Sequence, residues 1–264
     1  MLRRNFMRRL KMKKSNWHLI KYELKNNINN GYSFFFGAVF PLMLLVLLSK
    51  TVTSDLPENV KAPVLTSLFL SMSMIVPLAT MFLGYAATYA NELEKDVPLR
   101  LNLFGISQNR LFSSKLIANY IFFTGCLAFF AISLFFIKIE PGKPVAILVW
   151  LLVIYVFSAF LLALAHGISS MIKSFGPTYG VAMGLYFIIM ILSGMMGISL
   201  ENLPKFLQPV AKLLPPSQIG GNFVDFWMGK SYNFAPLIQS MLFFGAISFI
   251  ILLISFRINK RKNK

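Results

Sequence analysis

A short charged segment, residues 91–100, holds the side chains of this chain that are best suited to polar chemistry. Three of the nine Asp and Glu residues fall in it, namely Glu92, Glu94 and Asp96. Carboxylates pair with cations, cap helices or contact other proteins, and these lie between two apolar runs long enough to cross a bilayer. A chain with few carboxylates that places a third of them in one connecting segment is predicted to use that segment for contact.

Catalysis and metal binding are not predicted for the apolar runs themselves. Membrane-embedded enzymes need clustered Asp, Glu or His within the membrane, whereas the runs hold essentially His166 alone. A lone histidine beside small residues makes a helix-to-helix hydrogen bond or takes part in a proton relay, and both interpretations of His166 stay open. The sequence also lacks the Gly-x-x-x-x-Gly-Lys-Ser/Thr phosphate loop of an ATPase. We predict no catalytic residue, no metal site and no cofactor bound by this chain.

The elements that must position the charged segment are membrane-spanning helices. The chain has 264 residues, is 56% hydrophobic and has a mean hydropathy of +0.67. We predict an all-α integral membrane protein rather than a β-barrel, whose strands would alternate apolar and polar residues. Its six transmembrane helices correspond to continuous apolar runs, since roughly 20 such residues span a bilayer as a helix. The runs cover residues 33–49, 64–90, 109–137, 144–172, 175–198 and 234–256.

The distribution of positive charge predicts the orientation in the membrane. The net charge is +17, which in a soluble protein would suggest nucleic acid as a partner. Nineteen of the 26 Lys and Arg residues, however, fall in the N-terminal arm, the segment around residue 100, the turn at Lys173 and the C-terminal tail. Short loops rich in Lys and Arg stay in the cytoplasm. We therefore predict a multi-pass plasma-membrane protein with both termini cytoplasmic and no nucleic-acid partner.

Three segments make up the predicted domain organisation. Residues 1–32 form a basic cytoplasmic arm and an interfacial amphipathic helix, residues 33–257 the transmembrane domain, and residues 258–264 a basic cytoplasmic tail. Membrane lipid with anionic headgroups is the predicted partner of the arm. The interfacial helix is indicated by apolar residues at spacings of three and four, flanked by lysines. These residues are Trp17, Ile20, Leu24 and Ile28, with Lys21 and Lys25.

The charged segment is predicted to contain a short helix, within residues 92–106. Asp96 is placed to cap its N-terminus, with Pro98 in the first turn. Gly105 is placed to end it, and Ser107 is placed to cap the helix that follows. So short a helix cannot bury its own apolar face, so lipid or a partner protein must cover that face. The face consists of Leu99, Leu103 and Phe104.

The segment after the fifth apolar run is predicted to form half-helices, within residues 199–218. It is too apolar for a free loop, and its prolines keep its helices too short to span the membrane. Broken backbone at membrane depth is tolerated only where protein or a water-filled cavity surrounds it, so we expect these half-helices to dip into the outer leaflet. Pro77 breaks the second run, either as a packing kink or because that helix lines a pathway.

Two segments together resemble the permease subunit of type-2 ATP-binding cassette (ABC) exporters of drugs, peptides, lipids and polysaccharides. One runs from Glu92 through the short helix to Lys115, similar to the family's glutamate-led stretch, short helix, small-residue turn and lysine at the third span. The other is similar to the family's SG, LP and P pattern after the fifth span. It reads here Ser193-Gly194, Leu203-Pro204 and Leu214-Pro215-Pro216.

The resemblance implies a partner and a mechanism. A separate ABC ATPase subunit would bind ATP and Mg, dock on the short helix, and tilt the helix bundle when it closes. A second permease subunit, identical or related, would complete the pathway. The family's Glu-Arg-Glu pattern reads Glu92-Leu93-Glu94 here, and glycan exporters usually differ at this place, so a peptide, drug or lipid cargo is implied. The implied ATPase-coupling residues are Glu92, Glu94, Arg100, Leu99, Leu103, Phe104 and Gly105.

A cargo pathway is predicted along the first, second and fifth helices. Methionine side chains offer a soft, adaptable surface for amphipathic cargo, although core packing explains them equally well. The candidate pathway residues are Met72, Met74, Pro77, Met81, Met190, Ser193, Met195 and Met196. The outer half-helix motif consists of Gly194, Pro204, Pro215 and Pro216.

Two other functions stay open from the sequence. A non-transporting accessory, sensor or immunity protein related to such permeases would share every motif named above. A membrane-embedded enzyme is opposed by the absence of clustered ionisable residues in the spans. An ATPase gene beside the permease gene would favour transport.

Overall fold

The computed structural model describes residues 17–54, 56–197 and 200–262, and this part of the chain is helical with no strand. Six helices are long and apolar enough to cross a membrane, which confirms the prediction of an all-α protein with six such helices. Their bounds are α2 Phe35–Thr53, α3 Glu58–Glu94, α5 Gln108–Phe135, α6 Pro144–Ile172, α7 Phe175–Leu192 and α11 Ala235–Lys262. The shorter helices are α1 (residues 17–29), α4 Val97–Leu103, α8 Gln208–Lys212, α9 Pro215–Gly220 and α10 Phe223–Trp227.

The bundle has two ends that differ in what they carry. We call the end formed by α1, the last turn of α3 and the first turns of α5 the proximal end, and the opposite end, formed by α8 to α10, the distal end. The predicted basic arm lies mostly outside the described residues, as do the last two residues of the basic tail and Ser199 of the half-helix segment.

Helix α3 is the core of the bundle. Of its most apolar window, 78% is buried inside the protein, compared with 28% for α2, α7 and α11. Residues Leu78–Gly84 form a π-helical stretch directly after Pro77, which has no N–H to donate to the preceding turn. The wider turn accommodates the proline without breaking the span.

Helices α6 and α11 pack in close contact because two glycines remove the side chains between them. A Cβ at Gly167 would lie 3.0 Å from Ile251 Cγ2 and 3.1 Å from the backbone nitrogen of Leu252. A Cβ at Gly245 would lie 2.9 Å from the Phe160 ring. Membrane helices gain no hydrophobic drive from lipid, so such close backbone approach supplies the van der Waals contact that joins them.

Helix α7 ends earlier than the sequence suggests, at Leu192 rather than near residue 198. Gly194 has a φ of +75°, and the Met195 N–H donates to the Met190 carbonyl at 3.1 Å. These features form the Schellman motif that terminates helices. An apolar run gives the length of a span, but the left-handed glycine decides where the helix stops.

The distal end is built from short helices that pack on the long ones. Pro215 and Pro216 are buried in the first turn of α9, where a missing N–H leaves no bond unmade. At the end of α9, Ser67 Oγ of α3 donates to the Gly220 carbonyl at 2.6 Å. Trp227 Nε1 of α10 donates to the Glu140 carbonyl at 2.9 Å. Short helices thus occupy the predicted half-helix segment, and their depth in the bilayer stays a prediction.

Candidate functional site

Helix α4 is held in place by the backbone conformations on either side of it. Gly105 has a φ of +84°, and the Ile106 N–H donates to the Leu101 carbonyl at 3.0 Å, so the predicted stop is a Schellman motif. Asp96 stands at the N-cap position with a φ of +53° and makes no side-chain capping bond. Ser107 likewise occupies the N-cap of α5 without such a bond. Both residues thus occupy the predicted N-cap positions, but neither side chain forms the expected hydrogen bond to a free backbone N–H group.

Helix α4 presents an apolar surface that the rest of the described chain leaves open. Leu103 is 80% exposed and Phe104 is 85% exposed, while Leu99 is 56% exposed. No residue of α4 is buried. We call Leu99, Leu103 and Phe104 the α4 apolar surface. Arg100, predicted to act beside it, is exposed and donates from Nη2 to the Lys95 carbonyl at 2.7 Å.

Glu92 belongs to the last turns of α3 and points into the bundle. Lys115 of α5 donates from Nζ to Glu92 Oε1 at 2.7 Å and to Glu23 Oε2 of α1 at 2.7 Å. Asn26 Nδ2 adds a bond to Glu92 Oε1 at 3.2 Å. The Lys115 and Glu23 side chains are 3% and 2% exposed, and that of Glu92 is 7% exposed. We call Glu23, Glu92 and Lys115 the buried ion triad.

The buried ion triad departs from the sequence interpretation in two ways. The charged segment was expected to be a connecting loop, but its first half continues α3 as helix up to Glu94. A buried lysine needs counter-charges, because an unpaired ion inside the protein is strongly destabilising, and Glu92 supplies one. Glu23 was missed, although a glutamate in an otherwise apolar and basic amphipathic helix is a signal. Burial raises the pKa of the Glu23 carboxyl above its ordinary 4.5, against the opposing effect of the Lys115 ammonium.

Glu94 connects the end of α3 to the start of α7. Its Oε2 accepts a hydrogen bond from the Phe175 N–H, the first residue of α7, and another from Ser174 Oγ at 3.2 Å. A carboxylate at a helix N-terminus satisfies free N–H groups and complements the helix dipole. Glu92 and Glu94 together therefore attach the α3 end of the α4 segment to α1, α5 and α7.

His166 of α6 lies among aromatic side chains beside the buried ion triad. Its Nδ1 is 2.8 Å from Tyr85 OH of α3, so it makes a helix-to-helix hydrogen bond. Its ring stacks on Tyr89 at 4.6 Å between centroids, and Lys115 Nζ lies 6.0 Å from the centroid of the same Tyr89 ring. Of the two interpretations left open for His166, the hydrogen-bonded one describes what the structure contains.

The predicted pathway residues lie inside the single chain. All except Met196, which is 39% exposed, are buried against neighbouring helices: Met72, Met74, Pro77, Met81, Met190, Ser193 and Met195. Thr178 Oγ1 and Tyr186 OH of α7, and Ser193 Oγ directly after it, are buried and have no hydrogen-bond partner among the described residues. In the outer motif, Pro204 is exposed, and its carbonyl accepts from the Leu207 N–H at 2.8 Å.

The arrangement combines a surface suited to binding with buried polar contacts behind it. In the ranges that the structure describes, no three His, Cys, Asp or Glu residues come together in a way that would hold a metal ion. What the site offers instead is an exposed apolar helix anchored by buried polar contacts at the proximal end.

Comparison with known proteins identifies the family of the chain. The family model of the ABC-2 family transporter protein matches residues 7–257, nearly the whole chain. A search of curated proteins found no match. The match covers α4, five of the long helices in full and α11 as far as residue 257, and it includes no nucleotide-binding domain. The chain therefore belongs to the ABC-2 family of transporters, as a multi-pass membrane permease.

Proposed function

We propose that this permease exports amphipathic or hydrophobic cargo, such as a peptide, drug or lipid, across the plasma membrane. A separate ABC ATPase subunit supplies the energy by hydrolysing ATP, and a second permease subunit completes the transporter. The observation that carries the proposal is the α4 apolar surface, which stands exposed at the proximal end of a membrane protein.

The proximal end faces the cytoplasm in this proposal. The charge count supports that orientation, because 19 of the 26 Lys and Arg residues belong to the four segments predicted to be cytoplasmic, among them the segment that contains α4. Helix α4 connects the ends of two spans and is not itself part of one. An ATPase in the cytoplasm would therefore meet the α4 apolar surface first.

Docking is carried mainly by the apolar side chains of α4. Leu103 and Phe104 are nearly fully exposed and fit the anchor-in-groove pattern of interface hot spots. Arg100 lies at the rim, where exposed charges contribute about 0 to 1 kcal/mol each. Glu92 and Glu94 act behind the surface, because both are engaged within the chain. Gly105 fixes the end of the helix and hence the direction of Phe104.

Movement of α4 is transmitted to α3 and α5, the two spans that it connects. Residues Lys95 and Asp96 alone separate α3 from α4, and a short turn leads from α4 into α5. Closure of the ATPase subunits on ATP would displace α4 and tilt α3 and α5 with it, as rigid elements that switch between two arrangements. Helices α6 and α11, joined at Gly167 and Gly245, would stay together during that change.

The cargo route is proposed along the seam between α3 and α7. The candidate methionines Met72, Met74 and Met81 of α3 and Met190 of α7 are buried, and Thr178 and Tyr186 of α7 carry buried hydroxyls without partners among the described residues. Buried polar groups are normally hydrogen-bonded, so water or a polar group of the cargo could satisfy these hydroxyls. Photo-crosslinking of cargo to α7 supports this route, whereas labelling confined to α6 contradicts it.

The test uses the permease together with an ABC ATPase subunit, sought first among the products of the neighbouring genes. The two proteins are copurified, reconstituted into vesicles, and assayed for ATP hydrolysis in the presence of amphipathic peptides, drugs and lipids. We expect copurification and stimulation by at least one cargo class, with cargo accumulating on the side opposite the ATPase. A permease that neither retains the ATPase nor stimulates its activity contradicts the proposal and favours a non-transporting role.

A further inference from the structure

Helix α1 turns a face with both apolar and polar residues towards the bundle, and Leu24 packs against the core. Leu19, Glu23 and Asn27 are buried at spacings of four, while Trp17 and Ile28 are 53% and 54% exposed. Burying a carboxylate requires a compensating partner. The contact that Glu23 makes therefore helps to fix which face of α1 is turned towards the bundle.

Glu23 meets Lys115, and Lys115 also holds Glu92. The ammonium bonds one oxygen of each carboxylate at 2.7 Å, while Glu23 Oε1 and Glu92 Oε2 have no partner among the described residues. If Lys115 bonded both oxygens of a single carboxylate, it would connect α5 to only one other helix. By taking one oxygen from each, Lys115 joins α1 and α3 to α5.

The position of this junction relates it to α4. Glu92 lies in the last turn of α3 and Lys115 in the second turn of α5. These helices are the two that α4 connects. We propose that the Glu23–Lys115 bond clamps α1 to both supports of α4, so that α1 moves with α4 as one body, and that Glu23 is a positioning residue for coupling.

This inference rests on the proposed function but goes beyond it. The α4 apolar surface explains how an ATPase docks, whereas the clamp assigns α1 a part in transmitting the movement. Without the clamp, α1 would be an amphipathic helix that lies on the membrane surface, held there by its exposed Trp17 and lysines. The two possibilities differ in whether Glu23 affects the amount of cargo moved for each ATP.

The first test compares three variants of the reconstituted complex: Glu23→Leu, Glu23→Gln and the control Lys25→Leu. Lys25 is exposed on the same helix. We expect Glu23→Leu to keep the ATPase bound but to lower cargo transported per ATP by about 2- to 30-fold, the usual range for residues that carry coupling. Glu23→Gln keeps an oxygen that accepts from Lys115, so its ratio should stay near that of the wild type. Lys25→Leu should also match the wild type.

The second test distinguishes transmission from simple folding. In a Cys126→Ala background, Glu23→Cys and Lys115→Cys are joined by a short bifunctional thiol reagent. We expect the linked protein to recover cargo transported per ATP compared with the unlinked double variant, because the link restores one rigid body. Loss of activity on linking would show that α1 must separate from α5, and would overturn the clamp.

The two proposals fail in different ways. If the wild-type permease does not retain the ATPase, the proposed function is contradicted whatever the variants do. If the wild type couples and Glu23→Leu transports as much cargo per ATP, only the clamp is overturned. Equal loss in Glu23→Leu and Glu23→Gln would also overturn it, since the amide preserves the bond that the clamp requires.

Discussion

Truncation of Phe104 to alanine should weaken ATPase docking while leaving the permease folded. The ring is 85% exposed, so its removal leaves no cavity, and surface changes of this kind alter folding stability by less than about 0.5 kcal/mol. Full burial of a phenylalanine side chain in a partner's groove contributes about 1.5 to 3 kcal/mol. Because 1.4 kcal/mol corresponds to tenfold in affinity, the loss corresponds to a Kd about 10- to 150-fold higher.

The assay is binding of the purified ATPase subunit to the permease in lipid nanodiscs, measured by biolayer interferometry in the presence of ATP. The matched control is Phe135→Ala, which removes an equally exposed ring, 86% exposed, from the other end of α5. We expect a raised Kd for Phe104→Ala and an unchanged Kd for Phe135→Ala, with equal melting temperatures.

Two results would refute the reasoning about α4. Wild-type affinity in Phe104→Ala would show that the ring is not an anchor. A similar loss of affinity in Phe135→Ala would show that the effect comes from the lipid environment and not from docking. Phe104→Asp sharpens the comparison, because a carboxylate in an apolar groove carries an additional desolvation penalty, and it should abolish stimulated ATP hydrolysis.

Three further predictions concern Gly105, Glu94 and Glu23. Gly105→Ala places a Cβ in a left-handed conformation, at φ +84°, and should destabilise the end of α4 by about 1 to 2 kcal/mol; hydrogen exchange of α4 should speed up, whereas Gly105→Asn should change it less. Glu94→Ala removes the acceptor at the start of α7 and should cost about 1 kcal/mol, seen as a melting temperature a few degrees lower, while unchanged melting would contradict the capping role. Burial raises the pKa of the Glu23 carboxyl above 4.5. The contribution of this group to the free energy of unfolding is therefore fully present below pH 4.5 and is lost as the pH rises through its folded-state pKa. Glu23→Gln should therefore gain in melting temperature over the wild type as the pH rises towards neutrality, and a constant difference between the two would refute this.

The number of spans and the presence of α4 follow from the sequence. The length and hydropathy of the apolar runs predict the spans, and Gly105 predicts where α4 ends. The directions in which the Glu92 and Glu94 side chains point do not follow from the sequence. The π-helical stretch Leu78–Gly84 adds a residue to a turn of α3, and at 3.6 residues per turn this rotates everything after it by about 100°. A regular helical period therefore cannot assign the face on which Glu92 lies.

The inward face of α1 was unpredictable for a different reason. The sequence predicts an interfacial helix whose apolar stripe meets lipid. Trp17 and Ile28 of that stripe are exposed, whereas Leu24 packs against the core of the bundle. The inward face is selected by Lys115, which is 92 residues away from Glu23 along the chain. Long-range pairing of this kind leaves no periodic signal in the local sequence.

The central position of α3 has a consequence for how the protein is made. A chain is synthesised from its N-terminus, so α3 leaves the ribosome well before α6 and α7, the helices that later enclose it. During that interval a helix whose best window is 78% buried in the finished protein must face lipid. Its mean hydropathy of 1.8 is sufficient for insertion by itself. The hydroxyl groups that are buried in the finished protein do not yet contact the later helices at this stage. Assembly therefore proceeds in two stages, with α3 first inserted as a lipid-exposed helix and then enclosed as the later helices arrive.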